Sequence, residues 1–175
     1  LWYQREFVIP SKWRGKRILL HFGAVDWKTE VWVNNIKVGE HTGGFTPFSF
    51  DITPALLNGE NELIVKVWDP TDKGPQPRGK QVSKPGVIWY TPVSGIWQTV
   101  WLEPVPIRSI VNIKTTPDID RNKLTVEVMT DHQMLSDKLE VKVLEGKQLV
   151  AVGSSVNGLP VEIAMPPDVK WWSPA

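Results

Sequence analysis

The sequence contains no cysteine, and this absence excludes several kinds of chemistry at once. Without a thiol there is no disulfide framework, no cysteine nucleophile and no cysteine-based zinc site. The three histidines, His21, His41 and His132, lie far apart and lack the spacing of metal ligands. No Gly-x-Ser-x-Gly motif, phosphate-binding glycine loop or calcium-binding loop occurs. We therefore expect neither a metal site nor a cofactor.

The sequence also has a low net charge and no long apolar runs. Twenty Lys and Arg against nineteen Asp and Glu leave a formal charge of +1, which argues against a nucleic-acid partner. No apolar run approaches the roughly 20 residues that a membrane helix requires, so we expect no membrane partner. With 41% apolar and 22% charged residues, the composition is typical of a soluble globular protein. The composition is compatible with a cytoplasmic, a periplasmic or a secreted protein.

The first residues suggest a piece of a longer protein. The chain begins at Leu1 without Met, inside a segment, Trp2 to Ile9, that already has the pattern of a strand. We therefore expect further residues before it, and the lack of a leader carries no information about localisation.

Tryptophan is abundant, with ten residues in 175. Indole rings can fill the core of a β-sandwich, or they can offer flat faces on which the C–H groups of sugar rings stack. Four of them lie inside strand patterns, and we expect them to be core residues, with the domain junction as the alternative for the last two: Trp32, Trp68, Trp97 and Trp101.

Short strands at close spacing predict an all-β fold of jelly-roll type for residues 1–105. Asn34-Asn35 predicts a tight hairpin between two of them. Thr53 before Pro54 predicts a capped short helix at Ala55 to Leu57. The strands are expected at residues 2–9, 17–22, 30–33, 36–39, 48–52, 61–68 and 96–102.

The last of these strands alternates aliphatic side chains with Trp97, Thr99 and Trp101, which predicts a central strand covered on both faces. Glu103-Pro104-Val105-Pro106 follows and is predicted to be a stiff extended linker at a domain boundary. Residues 106–175 then alternate polar and apolar side chains over five strands, which predicts an immunoglobulin-like β-sandwich without the antibody disulfide. These strands are expected at residues 110–115, 124–130, 139–144, 149–153 and 161–165.

An ordered set of segments resembles the non-catalytic N-terminal region of family 2 glycoside hydrolases, which include β-galactosidases, β-glucuronidases and β-mannosidases. The segments are Arg17 to Phe22 with Asp26 to Asn35, Val38 to Phe48 with Phe50 to Thr53, Asn58 to Val65, Ser94 to Trp97, and Lys170 to Pro174. The resemblance covers essentially the whole chain. It implies a jelly-roll sugar-binding domain followed by an immunoglobulin-like domain.

The resemblance also implies where the chemistry takes place. In this family two glutamates of a later (β/α)₈ barrel hydrolyse the glycosidic bond with retention of configuration, which needs carboxyl groups about 5–5.5 Å apart. No barrel motif occurs here, so we expect this chain to be catalytically inactive and its parent to be a retaining glycosidase of β-galactosidase or β-glucuronidase type. The carbohydrate substrate would bind through the barrel. The full-length protein could also form a homo-oligomer.

The long Pro- and Gly-rich loop, Asp69 to Trp89, and the residue that follows it supply the candidate substrate-binding residues: Arg78, Lys80, Gln81, Trp89 and Tyr90. In related enzymes such a loop reaches the barrel and offers a carboxylate or amide shortly before the Ser-Gly-Ile segment. Here Val87, Ile88 and Trp89 occupy that position. A structural or inter-domain role for the loop is the alternative.

Two other features favour a structural interpretation. Glu60 and Glu62 flank the start of a strand and are expected to be solvated surface groups. The Gly43-Gly44-Phe45 turn could contact a sugar or serve packing, and packing is favoured.

Two further functions stay open beside the hydrolase assignment. One is a free-standing carbohydrate-binding module with an immunoglobulin-like spacer, and the other is a purely structural interaction domain.

Overall fold

A computed structural model describes residues 1–131 and 136–169. The predictions for His132 and for Lys170 to Pro174 therefore concern residues outside the described ranges. Over the described part the chain is all-β, as predicted, with two short 3₁₀ helices at Ser11–Trp13 and Thr53–Ala55. The chain separates into two compact units, Leu1–Ile107 and a second that begins at Arg108.

The first unit contains nine described strands: β1 Trp2–Val8, β2 Arg17–Phe22, β3 Val25–Asp26, β4 Lys28–Val33, β5 Ile36–Thr42, β6 Phe48–Asp51, β7 Glu60–Trp68, β8 Gly95–Ile96 and β9 Val100–Val105. They form antiparallel sheets in the orders β1-β7-β4-β5 and β6-β2-β9, with β3 paired to β8. Alternate residues of β2 and β4 are buried, including Ile18, Phe22, Val31 and Val33. The inner faces of the two larger sheets therefore share one hydrophobic core.

The hairpin at Asn34-Asn35 is confirmed. Asn34 and Asn35 have φ angles of 49° and 64°, the left-handed region that a two-residue primed turn requires at both positions. Asparagine tolerates this region better than most residues do. The turn fixes the register of β4 against β5, in which Val33 lies opposite Ile36.

Asn61, only 1% exposed, anchors the turn before β7. Its Oδ1 accepts hydrogen bonds from Asn34 Nδ2 at 2.7 Å and from the Leu57 N–H at 2.8 Å. Its Nδ2 donates to the carbonyls of Gly59 at 3.0 Å and Leu57 at 3.3 Å. One buried side chain thus has its own polar atoms satisfied and ties an exposed turn to the β4-β5 hairpin.

The predicted short helix is displaced toward the N-terminus. The 3₁₀ helix covers Thr53–Ala55, while Leu56 is already extended. The Thr53 hydroxyl does not cap it; Thr53 Oγ1 accepts the Ile18 N–H at 2.8 Å and donates to Asp51 Oδ1. The local sequence pattern predicted that the Thr53 hydroxyl would cap the helix. Instead, this hydroxyl accepts a hydrogen bond from the backbone N–H of Ile18 on β2.

The predicted strand from Ile96 to Leu102 is interrupted. The β3-β8 ladder pairs Val25 with Ile96, and the β2-β9 ladder pairs Phe22 with Val100. Three residues, Trp97 to Thr99, therefore lie opposite two, Gly23 and Ala24, which is the geometry of a bulge. The predicted linker is also wrong in its first part, because β9 continues through Val105, which pairs with Arg17 and is buried.

Three of the four tryptophans predicted for the core are exposed. Trp68, Trp97 and Trp101 are 55%, 51% and 43% exposed, and Trp32 is half-buried. In β9 the aliphatic side chains of Val100 and Leu102 pack on the core, while Trp101 lies on the other face and stacks on His21. The aliphatic and aromatic side chains of β9 therefore lie on opposite faces, as predicted. The aromatic face is not covered within the first unit, and β9 is an edge strand of its sheet rather than a central one.

The second unit has five described strands: β10 Ile110–Asp118, β11 Lys123–Thr130, β12 Lys138–Glu145, β13 Gln148–Val156 and β14 Val161–Ala164. All five predicted strands are confirmed, within a few residues at their ends. The antiparallel sheets β10-β11-β14 and β12-β13 share a core around Val126, Val161 and Ile163. A Cβ at Gly153 would lie 2.6 Å from Ile163, so glycine allows β13 to approach β14 closely.

Among residues 1–131 and 136–169 no helix has both the length and the apolar character needed to cross a membrane.

Candidate functional site

A cavity of about 300 Å³ lies in the first unit, at the end of the small β3-β8 ladder. It is lined by Asp26, Phe45, Gln81, Val93, Ser94, Gly95 and Trp97. Register in the ladder places Asp26 opposite Gly95, although 69 positions separate them along the chain. Four segments therefore meet here: the end of β3, the turn after β5, the long loop at Gln81, and residues 93–97 around β8.

Gly95 and Gly44 allow these segments to approach one another. Gly95 has a φ angle of 107°, and a Cβ on it would lie 2.1 Å from the Tyr3 hydroxyl. A Cβ on Gly44 would lie 2.7 Å from Asp26 Oδ1. Glycine is therefore favoured at position 95 by both conformation and space, and at position 44 a Cβ would force the Asp26 side chain to shift.

The carboxyl group of Asp26 is partly buried in the cavity wall. Its Oδ1 is buried and has no hydrogen-bond partner among the described residues, and the peptide bond between Asp26 and Trp27 is cis. Burial raises the pKa of Asp26 above its ordinary value, and the nearby Asp69 carboxylate raises it further. The group therefore binds a proton more readily than a surface aspartate, because both effects disfavour its charged form.

Two aromatic rings form one wall of the cavity. Trp97 donates its indole N–H to the Gly44 carbonyl at 2.8 Å, which sets the orientation of the ring. Phe45 meets it edge to face, with centroids 6.1 Å apart and planes at 71°. Both rings stay open, at 51% and 59% exposure, so the Gly43-Gly44-Phe45 turn has a buried glycine beside an exposed ring.

The long loop is held by its own hydrogen bonds. Asp72 accepts from the Ser83 N–H at 2.9 Å and from the Ser83 hydroxyl at 2.6 Å, and these bonds lower the pKa of Asp72. At the end of the loop Gln81 Oε1 accepts the Val93 N–H at 2.5 Å, and the Ser94 hydroxyl donates to Asp69. The loop therefore presents a defined surface despite its lack of regular secondary structure.

The five predicted substrate-binding residues are only partly brought together. Lys80 Nζ lies 5.7 Å from the centroid of the Tyr90 ring, and the backbones of Gln81 and Tyr90 form a parallel bridge. Arg78 donates to the Asp72 carbonyl at 3.2 Å. Trp89 and Tyr90 are exposed at 43% and 62% but do not line the cavity. Gln81 is the one of the five that lines it.

Sequence reasoning missed Asp26 and Trp97 as site residues. Trp97 follows a strand pattern that suggested burial, and the bulge that turns the segment depends on Gly23 and Ala24, more than 70 positions away. No local signal marks Asp26, because its neighbours in the cavity come from distant segments. The Gly44-Phe45 pair was the nearest available indication.

The described histidines have structural contacts. His21 Nε2 lies 3.0 Å from Glu103 Oε2, and its ring stacks on Trp101. His41 stacks on Phe48 with centroids 4.1 Å apart, and burial lowers its pKa. In the described part of the chain no group of three or more His, Cys, Asp or Glu could hold a metal ion. Glu62 accepts from Gln4 at 2.5 Å, and Glu60 is exposed.

The sequence matches the family model described as "Glycosyl hydrolases family 2, sugar binding domain" over residues 1–106. The chain belongs to this family, which confirms the resemblance drawn from its motifs.

Proteins named as glycosidases are among its relatives. A β-galactosidase of Thermoanaerobacter pseudethanolicus is 38% identical over 104 residues, covering 58% of this chain and 13% of that enzyme. The β-glucuronidase of Rattus norvegicus is 29% identical, covering 98% of this chain and 29% of the enzyme. The structure of a Ruminococcus gnavus β-glucuronidase in complex with D-glucuronic acid superposes with a TM-score of 0.72 at 25% identity, covering 94% of this chain and 30% of that one. The chain thus spans less than a third of the length of these relatives.

Proposed function

We propose that this chain is the non-catalytic N-terminal region of a family 2 glycoside hydrolase, which hydrolyses O-glycosyl bonds in carbohydrate metabolism. The supporting observation is the alignment of 98% of the chain with the β-glucuronidase of Rattus norvegicus, of which it covers only 29%. Residues 1–105 would act as the sugar-binding domain and residues 106–175 as an immunoglobulin-like domain. Their role is to support and shape the active site of a (β/α)₈ barrel elsewhere in the protein.

Retaining hydrolysis requires an acid/base carboxyl and a nucleophilic carboxylate about 5–5.5 Å apart, and both would belong to the barrel. The long loop would supply contacts to the substrate from outside it. Exposed rings at Trp89 and Tyr90 and the amide of Gln81 suit a sugar, since rings stack on C–H faces and amides bind hydroxyls. Lys80 and Arg78 would position these groups, Lys80 through the Tyr90 ring and Arg78 through the Asp72 carbonyl.

The experiment compares the full-length protein with the 175-residue chain on a panel of nitrophenyl glycosides that includes the β-galactoside and the β-glucuronide. We expect turnover by the full-length protein with retained anomeric configuration, measured by NMR of the first-formed product, and none by the chain alone. A full-length protein that hydrolyses no glycoside, or that inverts the configuration, would overturn the proposal. Turnover by the chain alone would show that catalytic carboxyls lie within it.

A free-standing carbohydrate-binding module is the second candidate, and the cavity beside Trp97 is the observation that favours it. Calorimetric titration of the chain with oligosaccharides separates the two functions when it is combined with the glycoside panel. Tight binding by the chain together with an inactive full-length protein would favour the module.

A further inference from the structure

We propose that the cavity formed by Asp26, Phe45, Gln81, Ser94 and Trp97 is a binding site for one neutral pyranose unit, and that it discriminates against uronic acids. This inference rests on the proposed function in assuming a carbohydrate ligand, but it names a site and a specificity that the family match does not supply. It concerns the first unit alone.

The size and walls of the cavity suit a single sugar ring. At about 300 Å³ it lies at the lower end of the range for small-molecule sites. Trp97 and Phe45 offer two open ring surfaces nearly perpendicular to each other, and the hydrogen bond from Trp97 to Gly44 keeps the indole oriented before a ligand arrives. Such preorganisation reduces the entropic cost of binding.

The polar groups provide both an acceptor and a donor for hydroxyls. Asp26 contributes a carboxyl group to the lining of the cavity. Gln81 uses its Oε1 to accept the Val93 N–H, and no described residue accepts a bond from its Nε2. An acceptor and an amide donor beside aromatic surfaces are the groups that recognise a polyol ring.

The charges around the cavity disfavour a uronate. Two carboxyl groups lie at or beside the cavity: Asp26 lines it, and Asp69 accepts the hydroxyl of the lining residue Ser94 and is close enough to raise the pKa of Asp26. Lys80 lies over the Tyr90 ring and does not line the cavity. Arg78 lines a neighbouring space together with both aspartates, so its single charge offsets only one of the two carboxylates. A third carboxylate brought into this site would be repelled at short range.

The test is an NMR titration of the ¹⁵N-labelled 175-residue chain with three probes: methyl β-D-glucopyranoside, methyl β-D-galactopyranoside and methyl β-D-glucuronide. We expect at least one neutral glycoside to shift the Trp97 indole N–H and Gln81 side-chain signals, with a dissociation constant on the order of 1 mM. At pH 7 the glucuronide should bind at least about tenfold more weakly, because of carboxylate repulsion. No shift of these signals by either neutral glycoside, or equal binding of the glucuronide, would overturn the proposal.

Two variants and a matched control separate binding from folding. Phe45→Ala removes an exposed ring and should weaken binding about three- to tenfold while the remaining spectrum is preserved. Gln81→Glu keeps the oxygen that accepts the Val93 N–H but removes the amide donor, and should also weaken binding. Leu57→Ala truncates an equally exposed side chain that does not line this cavity and should bind like the parent. Unchanged binding by Phe45→Ala would refute the site.

These outcomes are independent of the glycoside panel. An active full-length hydrolase whose isolated chain binds no neutral glycoside would refute this site and leave the proposed function intact. If the isolated chain binds a neutral glycoside as expected but the full-length protein hydrolyses no glycoside, the site would be supported and the proposed function refuted.

Discussion

Replacement of Asn61 by alanine should destabilise the first unit strongly. Four hydrogen bonds end on this side chain, which is 1% exposed, and they join Asn34 to the backbone of Leu57 and Gly59. At about 1 kcal/mol for each bond, their loss sums to about 4 kcal/mol. That is a large fraction of the roughly 5–15 kcal/mol that stabilises a typical domain.

Urea unfolding followed by tryptophan fluorescence measures this effect. Eight of the ten tryptophans lie in residues 1–107, so the signal reports mainly on the first unit. With a slope of about 1–2 kcal/mol/M, the midpoint should fall by about 2 M urea or more.

Asn58→Ala is the matched control, because Asn58 is an exposed asparagine three residues earlier in the same turn. It should change the free energy of unfolding by less than about 0.5 kcal/mol. If Asn61→Ala cost less than about 1 kcal/mol, or no more than Asn58→Ala, the interpretation of Asn61 as the residue that anchors this turn would be refuted.

Three further predictions concern the cavity and the hairpin. Gly44→Ala should destabilise by about 1–3 kcal/mol in the same urea assay, because its Cβ meets Asp26 Oδ1, whereas Gly86→Ala, which has open space, should not. Asp26→Asn should become more stable relative to the parent as the pH rises. The pKa of Asp26 is higher in the folded state than its ordinary value of 3.8, so ionisation of Asp26 lowers the free energy of unfolding of the parent. This loss is absent below pH 3.8 and complete above the raised pKa. A pH series of urea midpoints checks this, and a difference that shrinks toward neutral pH would contradict it. Asn35→Ala should cost about 1 kcal/mol at its φ of 64°, while Asn35→Gly should be neutral or stabilising, as thermal melts of the two variants would show.

The candidate site was only partly predictable from the sequence. The long loop was correctly singled out as an irregular segment between strands, and Gln81 within it does line the cavity. Its partners Asp26 and Trp97 were not found, because they become neighbours only through the pairing of β3 with β8. Exposure of Trp97 and Trp101 could not be read from alternation, since a period of two distinguishes two faces but does not say which face another layer covers.

Local chemistry determined the strands, the primed turn at Asn34-Asn35, the all-β class and the family. Each of these depends on side-chain alternation, on backbone conformation over two to four residues, or on the order of motifs along the chain. Tertiary structure alone decided the bulge at Trp97 to Thr99, the continuation of β9 to Val105 and the use of the Thr53 hydroxyl by Ile18. In each case the deciding partner is at least 35 positions away, and the free energy of that long-range pairing outweighs the local preference.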